Sequence, residues 1–316
     1  RSTWETHWQE IADYMRPRKA DITKSRTPGD KRTELIFDGT AIHAAEMLSA
    51  SLHGMLTNMA TPWFSLRYTN PEFEGEDAAK EWLESAEDAM YQAFHRSNFQ
   101  EQVHEMYDDL VCFGTAIMFI EKDDDTDFRF STRHIAECFV SEDDHGRVDT
   151  VYRKFKISAR AAVRQFGDAV SDRITQVEKR EPYEMVEIIH VVLPRDDRDV
   201  TKDSSTNKAF ASFYLDGEES VILSEGGYDE LPYVVPRWLK ASTEVGFGHS
   251  PAMTALADTK VLSTMSEISL RAAQKQIDPP LMVPDDGFML PIRTVPGGLN
   301  FYRSGTRDRL EPLMTG

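Results

Sequence analysis

The run HSPAMTALADTKVLSTMSEISLRAAQKQIDPP, His249 to Pro280, decides how the rest of the chain is read. Ser250 is a good N-cap, and Pro251 takes the first helical position, where its missing N–H costs nothing. Between Met253 and Ile277 there is neither Gly nor Pro. Asp278-Pro279-Pro280 closes the segment, because the residue before a proline is pushed out of the helical region. The spacing predicts one unbroken, unkinked helix over about 250–278, roughly 40 Å long at ~1.5 Å per residue. Helices in globular proteins average about 11 residues.

Met253, Ala257, Val261, Met265, Ile268 and Ala272 form one narrow apolar stripe at helical spacing. Thr259, Ser263, Ser266, Ser269 and Ala273 form a strip of small side chains that lets another backbone approach. Glu267 and Arg271 make a favourable i, i+4 pair, and Asp258, Lys260 and Lys275 carry further charge. Two readings stay open on the helix alone. One is a long amphipathic core helix; the other is a helix packed against copies of itself around an axis.

Outward from this segment, 316 residues allow one large or two ordinary domains. With 40% hydrophobic and 28% charged residues the chain is globular. The longest uncharged apolar run, Leu110 to Ile120, is broken by Gly114 and is too short to span a bilayer. The start has no signal-peptide pattern. A beginning at Arg1 and an end at Gly316 without a closing element read as part of a longer polypeptide. Cys112 and Cys138 read as reduced packing residues from a cytosolic compartment. Net charge is −18, and residues 250–316 hold 7 basic and 7 acidic groups, so residues 1–249 carry all of the excess. A protein that grips DNA through its phosphates shows a basic stripe instead.

Taken in order, Trp4, Trp8, Ile11 and Met15 share one face of an opening helix that stops before Pro17. Arg16 to Arg32, basic and turn-rich, reads as a solvated loop. Asp38 or Thr40 caps a second helix running to about Met59, and a short strand is expected at Phe64 to Tyr68. Glu76 to Phe94 and Phe99 to Cys112 read as helices, with Gly114 placed for a left-handed C-terminus. The period then changes from 3.6 to 2. Strands are expected at Ile117–Glu121, Phe128–Ser131, Cys138–Ser141, Val148–Phe155, Tyr183–Leu193, Phe210–Leu215, Ser220–Leu223 and Tyr233–Leu239. Ser158 caps a short helix through Phe166, and another runs from about Ala169 to Lys179. Residues 1–112 are therefore mainly helical, 113–240 mainly strand in one sheet, and 241–249 a linker.

Few residues suggest chemistry. Asp123-Asp124-Asp125 with Asp127 lacks the alternating ligands and central Gly of a calcium loop and reads as a hairpin turn. Asp143-Asp144-His145-Gly146 reads likewise. The His and Cys residues show neither HExxH nor CxxC spacing. Gly246-Phe247-Gly248 precedes a helix but lacks the third Gly and the Lys-Ser/Thr of a phosphate loop. His249 reads as a flank of the helix cap. No catalytic residue, cofactor or metal is expected.

Several strings occur together, in order, along the whole chain. They include Trp8-Gln9-Glu10-Ile11-Ala12-Asp13-Tyr14, Thr33-Glu34-Leu35-Ile36-Phe37-Asp38, Leu52-His53-Gly54-Met55-Leu56-Thr57, Pro62-Trp63-Phe64, Phe113-Gly114-Thr115-Ala116 and Pro236-Arg237-Trp238. They are densest at Gly246-Phe247-Gly248-His249-Ser250-Pro251-Ala252-Met253, Leu270-Arg271-Ala272-Ala273-Gln274-Lys275, Asp278-Pro279-Pro280 and Pro296-Gly297-Gly298-Leu299-Asn300. The set resembles the head-to-tail connector (portal) proteins of short-tailed bacteriophages.

The resemblance implies an α+β portal fold: a wing over 1–249, a first stem helix over 250–278 and a clip over 279–316. The family's returning stem helix and crown have no counterpart here. It implies a homo-oligomeric ring, usually of twelve copies, in the virion at one vertex of the capsid, assembled in the host cytoplasm. Double-stranded DNA would pass through it without sequence recognition during packaging and ejection. Tail adaptor, capsid, scaffolding protein and packaging terminase would be partners, with no membrane involved. Met253, Val261, Ser263, Ser266, Glu267, Ser269, Arg271 and Lys275 would form the stem's subunit contacts. Leu281, Met282, Val283, Leu299, Phe301 and Tyr302 would form an extended clip pairing with an adjacent subunit. The alternatives are another structural ring or adaptor of the head–tail junction, or an enzyme that processes DNA. The latter would need a carboxylate–Lys metal centre or a phosphate loop.

Overall fold

A computed structural model describes residues 1–27, 29–70, 76–199, 201 and 204–277, and the backbone of 281–282 and 311–312. It comprises two compact units, Arg1–Thr259 and Lys260–Gly316.

The first unit opens with four helices: α1 (Ser2–Met15), α2 (Thr40–Leu56), α3 (Asp77–Arg96) and α4 (Phe99–Phe113). Trp8, Ile11, Ala12 and Met15 recur at helical spacing on α1 and are buried. They join Cys112 and Phe113 of α4 and Ile135 in one core cluster. A second cluster forms where Phe99, Val103 and Tyr107 of α4 meet Met118 and Phe130.

Two antiparallel sheets follow. One is the hairpin β1 (Ile117–Asp123) and β2 (Asp127–Arg133), with β8 (Tyr233–Val234) added beside β1. The other is a five-stranded meander in sequence order, β3 (Cys138–Glu142), β4 (Val148–Ser158), β5 (Met185–Pro194), β6 (Phe210–Asp216) and β7 (Ile222–Tyr228). Between β4 and β5, α5 (Ala159–Phe166) and α6 (Asp172–Arg180) fold over one face of the meander. There Ala159, Ala162 and Ile174 are buried with Val186, Ile188 and Leu223. Ser158 and Ser171 cap the two helices through their hydroxyls, which accept from the Ala161 and Ile174 N–H groups.

Three expectations need correction. Phe64–Tyr68 is no strand, because side chains of α3 take its backbone groups. Trp63 and Phe64 N–H donate to Tyr91 Oη at 2.7 and 2.8 Å, and Leu66 N–H donates to Glu87 at 3.0 Å. Tyr233–Leu239 contributes only two strand residues, and to the smaller sheet. Prolines 232 and 236 bracket them: their carbonyls accept from Ile120 and Ala116, but neither has an N–H to continue a ladder. The stretch 16–32 is not simply solvated, since Arg16, Lys19, Lys24 and Arg32 are all ion-paired. The two acidic stretches are turns as read. Asp123 accepts from the Thr126 N–H and hydroxyl, and Asp143 from the His145 and Arg147 N–H groups.

The long helix, α7, runs without interruption from Pro251 to Ile277. Beyond it, β9 (Leu281–Met282) pairs antiparallel with β10 (Glu311–Pro312) of the same chain. Val283, Leu299, Phe301 and Tyr302 lie outside the described residues.

Candidate assembly site

The residues just before α7 form a joint in which each side chain has a task. Gly246 has φ +86°, a left-handed conformation that favours glycine. Phe247 is buried, its ring 4.8 Å from Trp8 and 5.9 Å from Trp4. Gly248 donates its N–H to Thr115 Oγ1 at 2.9 Å, and a Cβ there would lie 2.7 Å from the Gly114 carbonyl oxygen. His249 and Leu239 exchange two backbone hydrogen bonds, at 2.7 and 3.2 Å.

Ser250 completes the joint. Its Oγ accepts the Met253 N–H at 3.0 Å and donates to the Cys112 carbonyl at 2.8 Å. The first four N–H groups of a helix and the last four C=O groups of another have no partner within their own helices. One buried hydroxyl thus serves an orphan donor of α7 and an orphan acceptor of α4. Ala252 and Leu256, on the first turns of α7, enter the cluster of Trp8 and Phe113. The Gly-Phe-Gly string is closed against Gly114 and Thr115 and leaves no cradle for a phosphate.

Ion pairs to two buried acids, Asp108 and Asp109, brace α4 one turn before Cys112. Asp108 is bonded by Arg16 and by the Ser49 hydroxyl. Lys19 reaches Asp109 at 2.6 Å and Glu105 at 2.9 Å. Burial of the Lys19 ammonium works against its charge, but the two carboxylates outweigh it and raise its pKa above the usual range. His134 donates from Nε2 to the Lys19 carbonyl at 3.1 Å and accepts the Ala136 N–H at Nδ1. Burial lowers its pKa, which favours the neutral ring that this geometry requires. Sequence reading missed this network. The available signal was Asp108-Asp109, two acids among the buried positions of an otherwise apolar helix face.

Further along α7 the apolar residues are open: Val261, Met265 and Ile268 are 58%, 61% and 60% exposed. Of the other residues expected to make stem contacts, Met253 packs against the core cluster of its own unit. Ser263 is buried, Ser266 and Glu267 are half-buried, and Ser269, Arg271 and Lys275 are exposed. Glu267 and Arg271 form their i, i+4 pair. Cys112 and Cys138 are free and buried, and burial pushes both thiols up to about 12. Among the described residues, no group of three or more His, Cys, Asp or Glu is placed to hold a metal ion. No described helix is long and apolar enough to cross a membrane. What the arrangement does is mechanical: it fixes the start of a long helix whose apolar side is left uncovered.

The family described as bacteriophage head to tail connecting protein matches residues 1–315. A probable portal protein of Bordetella phage BPP-1 is 35% identical over 306 residues, covering 95% of this chain and 55% of that protein. The portal protein of Salmonella phage epsilon15 is 30% identical over 306 residues, with the same coverage of 95% and 55%. The chain spans about half the length of these curated relatives.

Proposed function

Since the chain belongs to the bacteriophage head to tail connecting protein family, we propose that it acts by closing into a ring of twelve copies at the portal vertex of the virion. Residues 1–249 form the wing, 250–278 the first stem helix and 279–316 the clip. Duplex DNA passes through the ring during packaging and ejection. Capsid and scaffolding protein meet the ring on the head side, and terminase and then tail adaptor meet it on the other. The role is structural, without turnover.

One observation carries this reading: a helix anchored at Ser250 while Val261, Met265 and Ile268 stay exposed. Water-exposed apolar rows of this kind mark surfaces that other polypeptide covers. The charge supports the conduit role, since acidic walls repel phosphate and let DNA slide. Native mass spectrometry and electron-microscope images of the purified protein test it. The expected result is a closed ring with a central hole; a monomer, or a compact assembly without a hole, overturns it.

A further inference from the structure

Two uncovered surfaces of the first unit match each other. The helix α3 is 20 residues long and has no buried residue. One side is strapped by residues 63–68 through Tyr91 and Glu87. On its free side stands Trp82, 63% exposed, in a stripe with Ala78 and Ala89. Alongside runs an acidic ridge, Asp77, Glu81, Glu84 and Asp88, at i, i+4, i+7 and i+11, with all four exposed. An exposed tryptophan is the side chain most enriched at the centres of interfaces.

The five-stranded sheet has its helices, α5 and α6, on one face. On the opposite face the register aligns Phe139, Tyr152, Val191 and Phe213 in one row across four strands. Lys154, Ile189 and Leu215 form the next row. Phe139 and Tyr152 are 41% and 43% exposed, with Val191 buried beside them and the Arg1 guanidinium 3.6 Å from the Phe139 ring centroid, so the open part of the row centres on Tyr152. Lys154 and Lys156 stand beside them on the same face, both exposed, Lys154 reaching Glu187 at 2.9 Å. Two residues along a strand span about 6.6 Å. Neighbouring carboxylates at i, i+4 on a helix stand about 6 Å apart. The acidic ridge and the lysine pair therefore share a repeat as well as opposite sign.

We infer that α3 of one copy lies across this sheet face of the next, with Trp82 against Tyr152 and Phe139 and the acidic ridge along Lys154 and Lys156. This rests on the ring reading. The contact joins different surfaces of two identical chains, the heterologous type that closes into rings. The partner is a second copy because both halves of the complement, apolar centre and charged margin, are present on one chain.

The test uses the full chain and follows assembly against protein concentration by native mass. Trp82→Asp is expected to raise the concentration for half-assembly at least about tenfold, as loss of a central aromatic anchor does. Lys156→Glu is expected to weaken assembly, and Glu84→Lys with Asp88→Lys added to it to restore assembly. A chain carrying Ala89→Cys and Lys154→Cys keeps Trp82 and Tyr152, and its native thiols are buried. In assembled rings a bis-maleimide should link it into multiples of the chain mass on a denaturing gel. Rings of the double-cysteine chain with no such ladder, and Trp82→Asp assembling at the wild-type concentration, would overturn the contact and leave the ring intact. Failure of the wild type to form rings would overturn both. Protection of Trp82 only by an added tail or capsid protein would also overturn the contact.

Discussion

Gly114 and Gly248 meet backbone to backbone, so closely that a Cβ on Gly114 would lie 2.2 Å from the Gly248 carbonyl oxygen. Gly114 also has φ +73°, so both space and backbone conformation require glycine there. The pair joins the end of α4 to the approach of α7.

Gly114→Ala should therefore destabilise the fold by about 2–4 kcal/mol, combining left-handed strain with displaced backbone. Gly54, inside α2, has nothing within 4 Å of a built Cβ. Gly54→Ala should stabilise by up to about 1 kcal/mol through helix propensity. Urea midpoints of the two variants, moving in opposite directions, check both; equal shifts would contradict the account of the joint.

Ser250→Ala removes a cap and leaves the buried Cys112 carbonyl without its donor, for a cost of about 1–2 kcal/mol. Ser250→Thr keeps the hydroxyl and should cost less. Hydrogen exchange should report faster opening in the first turn of α7 for the alanine variant, with the meander unaffected.

Lys19→Met strands Asp109 in the interior, where its Oδ2 is already without a hydrogen bond. The expected loss is about 3–5 kcal/mol, as for other broken buried pairs. Adding Asp109→Leu to Lys19→Met should recover much of it. A double variant as unstable as the single one would show that the pair is not the unit.

His190 is buried, its ring nitrogens 3.0 Å from Tyr233 Oη and 3.0 Å from Ser212 Oγ, and it stacks on Tyr214. Burial, helped by Arg153 and Arg133, lowers its pKa from 6.5 to about 3. Below pH 6.5 the unfolded chain takes up a proton that the folded chain refuses. Stability from this group is thus complete above pH 6.5 and falls as pH drops, by about 1.4 kcal/mol per unit down to about pH 3. His190→Gln should flatten that part of the pH profile in chemical denaturation; an unchanged slope would assign the acid sensitivity elsewhere.

On the proposed ring reading, Ser266→Trp in α7 should weaken assembly while the chain keeps its far-UV signal and urea midpoint. Normal assembly of this variant would remove Ser266 from the subunit contact.

The helices were legible because Trp8, Ile11 and Met15, or Val103 and Tyr107, repeat at helical spacing, and because Ser250-Pro251 and Ser158 announce their starts. The division into two sheets was not, since alternation shows a strand but not its partner. Phe64–Tyr68 has strand-like composition, yet Tyr91 and Glu87, from a helix more than 20 residues on, take its backbone bonds. The loop 16–32 looked solvated because the partners of Arg16 and Lys19, Asp108 and Asp109, lie about 90 residues away. At the joint, composition flagged the glycines, but Gly114 and Gly248 explain each other only once they are adjacent in space.

In the ring proposed above, the joint takes on a further meaning. A subunit in a closed ring must meet its neighbours at one fixed angle, and any error in that angle adds up from copy to copy until the last gap no longer fits. The long helix starts beside two glycines with no spare volume and a serine whose one hydroxyl is engaged on both sides. The first turn of the helix is thus held on two sides within its own unit. The joint's tightness is a tolerance: in the proposed ring it limits how far the first turn of the helix can shift before a chain of copies opens into a spiral instead of returning to its start.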